Sequence, residues 1–329
     1  MIDSGSWDQF LKNKKGNNFL QSWFWGNFQQ ELGKKVWRLR VGENETLAQV
    51  QIIEETLPFR FRYLYLPFGP IFKNDLSLQE KQEVEKRLLK KLRQLGRKRK
   101  AVFLRIEPLE PFHFTLLSSQ TPSKRVQPQQ TLILDLRPPL EKILKKFSVR
   151  SRYNIRLAQR KELKLIRCHQ ISSQNQKYFS EFKRLIQSTS QRKHFHSYPS
   201  PYYQKLLTKS LSEGWGELFL AQYQGKIIGA YFVVFFHQQA VCLHGAVDYH
   251  YRSIKVSHFL QWEQIKAAKQ KECVAYDFWG IDKKLWPGVT FFKKSFGGKT
   301  IQYPPSLEIS FKTLWYSAYR IYQKLKRKC

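Results

Sequence analysis

Tyr276-Asp277-Phe278-Trp279-Gly280-Ile281, followed by Gly288-Val289-Thr290-Phe291-Phe292-Lys293-Lys294-Ser295-Phe296-Gly297-Gly298, is the stretch on which the reading of this chain turns. An apolar run from Val274 to Phe278 that stops at Gly280 reads as a buried strand, and the paired glycines mark a tight backbone approach. Between them a loop brings Lys293 to an aromatic, glycine-bounded turn. On composition alone Lys293 is a surface lysine beside Lys294; the Phe-Lys and Gly-Gly setting makes it a site candidate.

Upstream, a helix over about Val256 to Lys269 and strands at Glu217 to Gln222, Lys226 to Phe236 and Gln239 to Ala246 lead into that stretch, with Gly225 as a hairpin turn. Helices are expected at Tyr178 to Ile186, at Tyr202 to Leu211 and, strongly basic, from about Ser151. In the first half, residues 36–41 and 47–53 flank Gly42-Glu43-Asn44-Glu45 as a β-hairpin. Ser77 and Glu80 form a capping box ahead of Val84, Leu88, Leu92 and Leu95, with Gly96 as the stop. Val102 to Ile106 and Leu132 to Leu136 read as strands, and Pro138-Pro139 opens a helix. Helices alternating with strands in both halves specify an α/β (α+β) fold with helices on mixed sheets.

The 329 residues suffice for two domains, and 42% hydrophobic with 15% aromatic residues specifies a globular chain. Charge is the outlier, since 58 Lys and Arg against 25 Asp and Glu give a formal +33. Such a field attracts nucleic acid, anionic lipid headgroups and phosphorylated precursors, although a generally basic proteome would produce part of it. Cys168, Cys242, Cys273 and Cys329 show no C-x-x-C pairing, so neither a zinc site nor a disulfide framework is indicated, and a reducing cytoplasm is the expected compartment. Met1 to Ser6 lack signal-peptide character, and the longest apolar run, Tyr231 to Phe236, is far below the roughly 20 residues of a membrane-spanning helix. His194 and His196 alternate without a third ligand at metal-binding spacing and read as loop or strand residues. The segment Phe311, Leu314, Trp315, Ala318, Tyr322 and Leu325 has helical spacing with Arg320, Lys324, Lys326, Arg327 and Lys328 near its other face. Its apolar stripe is expected to dock on the N-terminal domain, the alternative being an anionic membrane surface.

The Phe-Lys…Gly-Gly signature resembles that of the FemABX family, peptidyltransferases that add amino acids from aminoacyl-tRNA to peptidoglycan precursors. Four more segments match in the family's order. Phe19-Leu20-Gln21-Ser22-Trp23-Phe24-Trp25-Gly26 and Leu64-Tyr65-Leu66-Pro67-Phe68-Gly69-Pro70 look like its opening strands, and Ser148 to Ala158 resembles its basic helix start. Leu243-His244-Gly245-Ala246 together with Leu260 to Ile265 resembles the segment before the signature. The resemblance implies two tandem GNAT-like (acetyltransferase-like) domains, 1–148 with the C-terminal helix 306–329 and 149–305, although the halves share no literal repeat. With no heptad region between Ile186 and Gly216, the chain looks like the compact form without a coiled-coil arm. A monomer is expected, with aminoacyl-tRNA and a peptidoglycan precursor (lipid II or UDP-MurNAc-pentapeptide) as partners, no cofactor, and peripheral contact with the inner face of the plasma membrane as an option.

The implied reaction is attack of a stem-peptide amine on the ester joining an amino acid to tRNA, which needs orientation, loss of a proton and oxyanion stabilisation. Lys293 matches the lysine to which the family's oxyanion or tRNA-end contact is ascribed; such a donor is typically worth about 2.7 to 4 kcal/mol. Glu107 stands where the family often has an Asp suggested as general base, with a structural salt bridge to Arg105 as the alternative. Phe292 is either a wall for the terminal adenine or peptide, or a core residue. Arg150, Arg152 and Arg156, preceded by Lys145 and Lys146, form a cationic helix start suited to phosphates, or a solvated face. Asn154 either caps locally or binds ligand, and Asp277 either orients Lys293 or holds a loop. Arg105, Tyr276 and Gly297 complete the substrate- or tRNA-binding candidates. Compact relatives that use a nucleotide-linked precursor carry a Lys and an Arg where Asn27 and Tyr198 stand here, so their diphosphate contacts do not carry over. An acyl-CoA N-acyltransferase is the nearest rival, but Tyr251-Arg252-Ser253-Ile254-Lys255-Val256-Ser257 lacks the glycines of a pyrophosphate turn. A non-catalytic basic RNA- or membrane-surface binder is the rival from another class.

Overall fold

The computed structural model describes residues 3–12, 14, 18–111, 120–123, 125–170, 172, 175–193 and 195–326. In chain order the elements begin α1 (Ser4–Leu11), α2 (Trp23–Glu31), β1 (Lys35–Val41), β2 (Ala48–Thr56), β3 (Arg62–Pro67), β4 (Ile71–Phe72), α3 (Leu78–Lys98), β5 (Phe103–Glu107) and β6 (Gln120–Ser123). They continue β7 (Gln130–Asp135), α4 (Leu140–Lys145), α5 (Val149–Gln159), β8 (Lys164–Cys168), α6 (Gln176–Lys193), α7 (Ser200–Ser212), β9 (Gly216–Tyr223), β10 (Lys226–Phe236) and β11 (Gln239–Val247). Last come α8 (Val256–Gln270), β12 (Ala275–Gly280), α9 (Pro287–Lys294), β13 (Lys299–Gln302), β14 (Ser306–Ser310) and α10 (Thr313–Lys326).

Contacts divide the chain into two compact units, Met1–Gln129 with Tyr303–Cys329, and Gln130–Gln302. The first of these units is discontinuous, and the contact division falls at 129/130 and 302/303, where the sequence reading expects boundaries at 148/149 and 305/306. The reason is β7, which pairs with β12 and β13 and so carries residues 130–148 into the second unit.

In the first unit the strand order is β1-β2-β3-β5-β14-β6, with β4 on β2; β3 and β5 run parallel and their neighbours antiparallel. Helix α3 lays Val84, Leu88 and Leu92 onto Val50, Ile52, Leu64 and Leu104. It starts with the expected capping box, Ser77 Oγ accepting from Glu80 N and the Glu80 carboxylate accepting from Ser77 N. Gly96 is not its stop. The helix runs on to Lys98, and Gly96 instead admits the Phe311 ring, which a Cβ there would approach to 2.3 Å. The expected strand at Phe19 to Gly26 is helical as well, a 3-10 turn at Phe19–Gln21 followed by α2, because Ser22 Oγ caps Trp25 N at 3.2 Å.

In the second unit the order is β13-β7-β12-β11-β10-β9-β8, and within it β11 and β12 are parallel. Its core joins Leu132, Leu134, Phe147, Ile155, Phe219, Leu260, Ile265, Tyr276, Phe278 and Phe296. Helix α5 contacts α8, α6 contacts β10 and β11, and α7 contacts β9. No helix among the described residues is long and apolar enough to cross a membrane.

Candidate functional site

The second unit's sheet forks. Strands β11 and β12 pair from Gln239/Ala275 to Val241/Asp277 and then part, β11 continuing along β10 to Val247 while β12 rejoins β7 at Gly280/Thr131 after a register shift. Asp277 sets the bend. It is 2% exposed and accepts from Trp279 N at 2.7 Å and from Thr131 Oγ1, holding Trp279 at φ 61. A tryptophan in this left-handed region costs roughly 1 to 2 kcal/mol, so the geometry is imposed by its surroundings.

The bend presents two carbonyl oxygens to Lys293. Its Nζ donates to Gly280 O at 2.8 Å and to Trp279 O at 3.4 Å. Lys293 lies in the last turn of α9, a helix opened by Pro287 where the sequence reading expected a loop. Eight residues beginning Pro-Gly carry too weak a helical pattern to announce themselves. Burial holds the Lys293 ammonium below the usual lysine range, against the opposing pull of Cys242 and Asp277. An ammonium has three N–H donors, and two are occupied here.

Beside α9 lies a cavity of about 530 Å³ lined by Ser148, Arg150, Ser151 and Asn154 at the start of α5, by Tyr249, Tyr251, Arg252 and Lys255 ahead of α8, by Ser257 and His258, and by Phe291, Phe292, Lys294 and Ser295. Lys293 is not among the lining residues. Ser148 N donates to Ser295 O at 2.8 Å and Ser151 Oγ to Ser295 Oγ at 2.6 Å, so the α5 start and the α9 end are locked together. Among the described residues Arg150, Arg252, Lys255 and Lys294 have no acidic partner within ion-pair distance. Asp248 lines the cavity too, but its Oδ1 accepts from His250 N at 3.0 Å. Lys255, at φ 63, precedes α8 and caps none of its first-turn amides with its side chain. The arrangement suits an anion, with side-chain cations and a helix N-terminus on one concave surface.

Aromatic rings complete the lining. Phe292 packs edge-on to His258 at 5.0 Å and to Phe296 at 5.2 Å, so it is both cavity wall and core margin. Phe291 is 69% exposed, and the Tyr249 ring lies under both Arg192 and Arg252 at 4.6 Å. His258 escaped the sequence reading, since nothing in its spacing marks it. Burial, reinforced by Lys255 and Arg150, pushes its pKa down to about 4, so the ring is neutral at neutral pH. Its Nε2 meets Asn154 Nδ2 at 3.2 Å, and this side-chain pairing is what Asn154 does here.

The remaining candidates separate. Arg152 Nη1 donates to Lys145 O at 3.1 Å and Phe147 O at 2.5 Å, closing the end of α4, and Arg156 is exposed outside the lining. Tyr276 is a core residue, 0% exposed, its hydroxyl accepting from Gln261 and donating to Gln264 at 2.7 Å. Gly297, at φ 74, turns the chain out of α9 next to Lys146 O, and Gly298, at φ 98, packs on Ile133 O, so the glycine pair approaches backbone. In the first unit Glu107 is 0% exposed and accepts from Val126 N, from Gln127 N at 2.9 Å and from Tyr65 Oη at 2.9 Å. Burial raises its pKa despite these bonds. The expected Glu107–Arg105 salt bridge does not form, because Arg105 is drawn to its cross-strand neighbour Glu308. Asn27 accepts from Arg38 at 3.1 Å, and Tyr198 stacks on Tyr202 at 4.0 Å. His194 and the end of the C-terminal tail, Arg327 to Cys329, lie outside the described residues.

Two mixed sheets in tandem, each flanked by helices, define a tandem GNAT-like fold. A tandem GNAT protein from the clavulanic acid biosynthesis pathway superposes with a TM-score of 0.54 at 12% identity, over 84% of this chain and 83% of that one. A FemX crystal structure is much more similar, with a TM-score of 0.79 at 18% identity over 97% and 98%. A conserved protein of unknown function from Bacteroides thetaiotaomicron reaches 0.61 at 12% identity over 93% and 95%. No curated sequence matches the chain. The FemAB family profile matches residues 2–124, 112–222 and 215–324. The chain therefore belongs to the FemAB family, aminoacyltransferases of peptidoglycan bridge formation.

Proposed function

We propose that this chain transfers an amino acid from aminoacyl-tRNA to the stem-peptide amine of a peptidoglycan precursor, lipid-linked or UDP-linked, with the second unit holding the aminoacyl-tRNA end. The observation that carries the reading is the pairing of a strand fork, closed by the Lys293 ammonium, with a cavity whose cations lack acidic partners. Past the fork, β11 and β12 no longer satisfy each other's facing edges, and such edges accept an extended acyl or peptidyl chain by main-chain hydrogen bonds. The cavity's cations and rings match a nucleotide end, phosphate to Arg150, Arg252 or Lys255 and base to Phe291, Phe292 or Tyr249.

In the transfer, the amine nitrogen forms the new amide bond, the ester C–O bond breaks, the amine loses a proton and the ribose oxygen gains one. Lys293 offers its remaining N–H to the oxyanion that develops at the ester carbon. Neutral His258, set by Asn154, offers a ring nitrogen to the bound nucleotide without adding charge. Glu107, with both carboxylate oxygens engaged, supports the first unit rather than accepting the proton.

Purified protein is incubated with charged tRNAs and with each precursor in turn, and products are weighed by mass spectrometry. A gain of one aminoacyl residue that depends on charged tRNA is expected. A gain from acyl-CoA in the absence of tRNA, or none with either precursor, overturns the reading.

A further inference from the structure

Helix α10 is docked on one side and bare on the other. Tyr316 and Tyr319 pack on Phe103, with ring centroids at 5.5 and 4.9 Å, and Arg320 reaches Glu308 at 3.3 Å. The sequence reading expects the apolar stripe to dock on the N-terminal domain; Phe311 and Trp315 of that stripe do pack on the first unit, whereas Leu314, Ala318 and Leu325 face outward. Leu314, Ala318, Ile321 and Leu325, spaced three and four apart, form an aliphatic stripe; Leu314 is 86%, Ile321 59% and Leu325 61% exposed. Trp315 at 52% and Tyr322 at 44% exposure flank it. The turn at Pro58–Arg60 lies alongside, since Phe61 packs on Trp315 at 4.5 Å. Phe59, at φ 58, is 91% exposed at its tip.

Contiguous exposed apolar side chains rimmed by polar ones mark protein or membrane interaction sites. From Ile309 to Cys329 the sequence has no Asp or Glu, while it carries Lys312, Lys324, Lys326, Arg327 and Lys328 in addition to the paired Arg320. Arg60 and Arg62 are exposed on the neighbouring turn and strand. A second copy of the chain would bring like charge against like. An anionic bilayer supplies the opposite charge and an apolar layer at the depth such a helix reaches.

We propose that α10 and the Pro58–Arg60 turn form a peripheral docking surface for an anionic lipid bilayer, the helix lying in the interface with Leu314, Ile321, Leu325 and Phe59 inserted. The full chain is sedimented with vesicles of phosphatidylcholine, and with vesicles in which a third of the lipid is phosphatidylglycerol. Partition at least tenfold stronger onto the anionic vesicles, weakened by salt, is expected, and Ile321→Glu with Leu325→Glu lowers it at least tenfold. Phe59→Ser, a change at a surface turn, lowers it severalfold and keeps the test valid where the helix variant misfolds. Wild type that stays in the supernatant with anionic vesicles overturns the proposal, as do variants that sediment like wild type. A wild-type dimer by light scattering that the helix variant makes monomeric assigns the face to a second copy instead. Lipid partition involves no transfer chemistry, so this result is independent of the reaction proposed above.

Discussion

Two buried carboxylates of the first unit have every oxygen engaged, whereas the cations around the second unit's cavity have no acidic partner among the described residues. Glu308, 1% exposed between Arg105, Arg320 and the Tyr316 hydroxyl, and Glu107, wrapped by two amides and Tyr65, have their oxygens engaged. Around the cavity of the second unit, Arg150, Arg252, Lys255 and Lys294 line concave space, and Lys293 donates to two backbone carbonyls with Asp277 acting on it electrostatically. Paired buried charge fixes a structure, while cations held without acidic partners are poised for an anion that arrives. The proposed reading gives stability to the one set and ligand chemistry to the other, and substitution can break it.

The largest effect is expected at Glu308. Glu308→Ala strands Arg105 and removes the anchor of Arg320, and breaking a buried pair in this way costs about 3 to 5 kcal/mol. Denaturant unfolding measures it; a loss below 1 kcal/mol would remove the structural half of the contrast. Lys293→Met comes next. If Lys293 stabilises the oxyanion, transfer falls roughly 100- to 1000-fold while tRNA affinity holds. Equal losses in rate and affinity would instead make Lys293 a binding residue. Because burial lowers its pKa, the alkaline limb of the wild-type rate should begin below the ordinary lysine range.

The fold was largely legible because its signals are local. The capping box at Ser77 and Glu80, the hairpin turn at Gly225 and the alternation through β9 to β11 each act over a few residues. The failures involve contacts distant in sequence. Gly96 reads as a helix stop until Phe311 is seen to fill its place, and Arg105 reads as the partner of Glu107 until β14 brings Glu308 across from it. The site candidates Phe292, Arg150 and Asn154 line one cavity, while His258 beside them is invisible in the sequence because only packing distinguishes it. Arg152, Tyr276 and Gly297 have residue types that binding would use and contacts that are structural.

A smaller effect sharpens the comparison through pH. His244, in the second unit, is ringed by Tyr198, Tyr202 and Tyr203, its Nε2 buried with no hydrogen-bond partner among the described residues, and burial lowers its pKa to about 4. A histidine with a depressed folded pKa is protonated more readily unfolded, so its contribution is present above the unfolded value of about 6.5 and is lost as pH falls toward 4. From pH 6.5 to 5 the loss is about 1.5 kcal/mol, and His244→Phe should flatten the unfolding midpoint over that window. Glu107, with a raised pKa, acts in the opposite sense, losing stability as pH rises, and Glu107→Gln should remove that component. Equal pH profiles for wild type and His244→Phe would show that this ring titrates as if in water.

The smallest effect tests the unpartnered cations most directly. Arg150 is exposed at the cavity rim, so Arg150→Ala should move stability by less than about 0.5 kcal/mol. If it meets a phosphate, the slope of log affinity for tRNA against log salt falls by about one, while the preference among charged tRNAs stays the same. An unchanged slope would make Arg150 a solvated charge. The contrast between the units would then rest on Arg252, Lys255 and Lys294, and the same salt titration on their alanine variants would show which of them meets the anion.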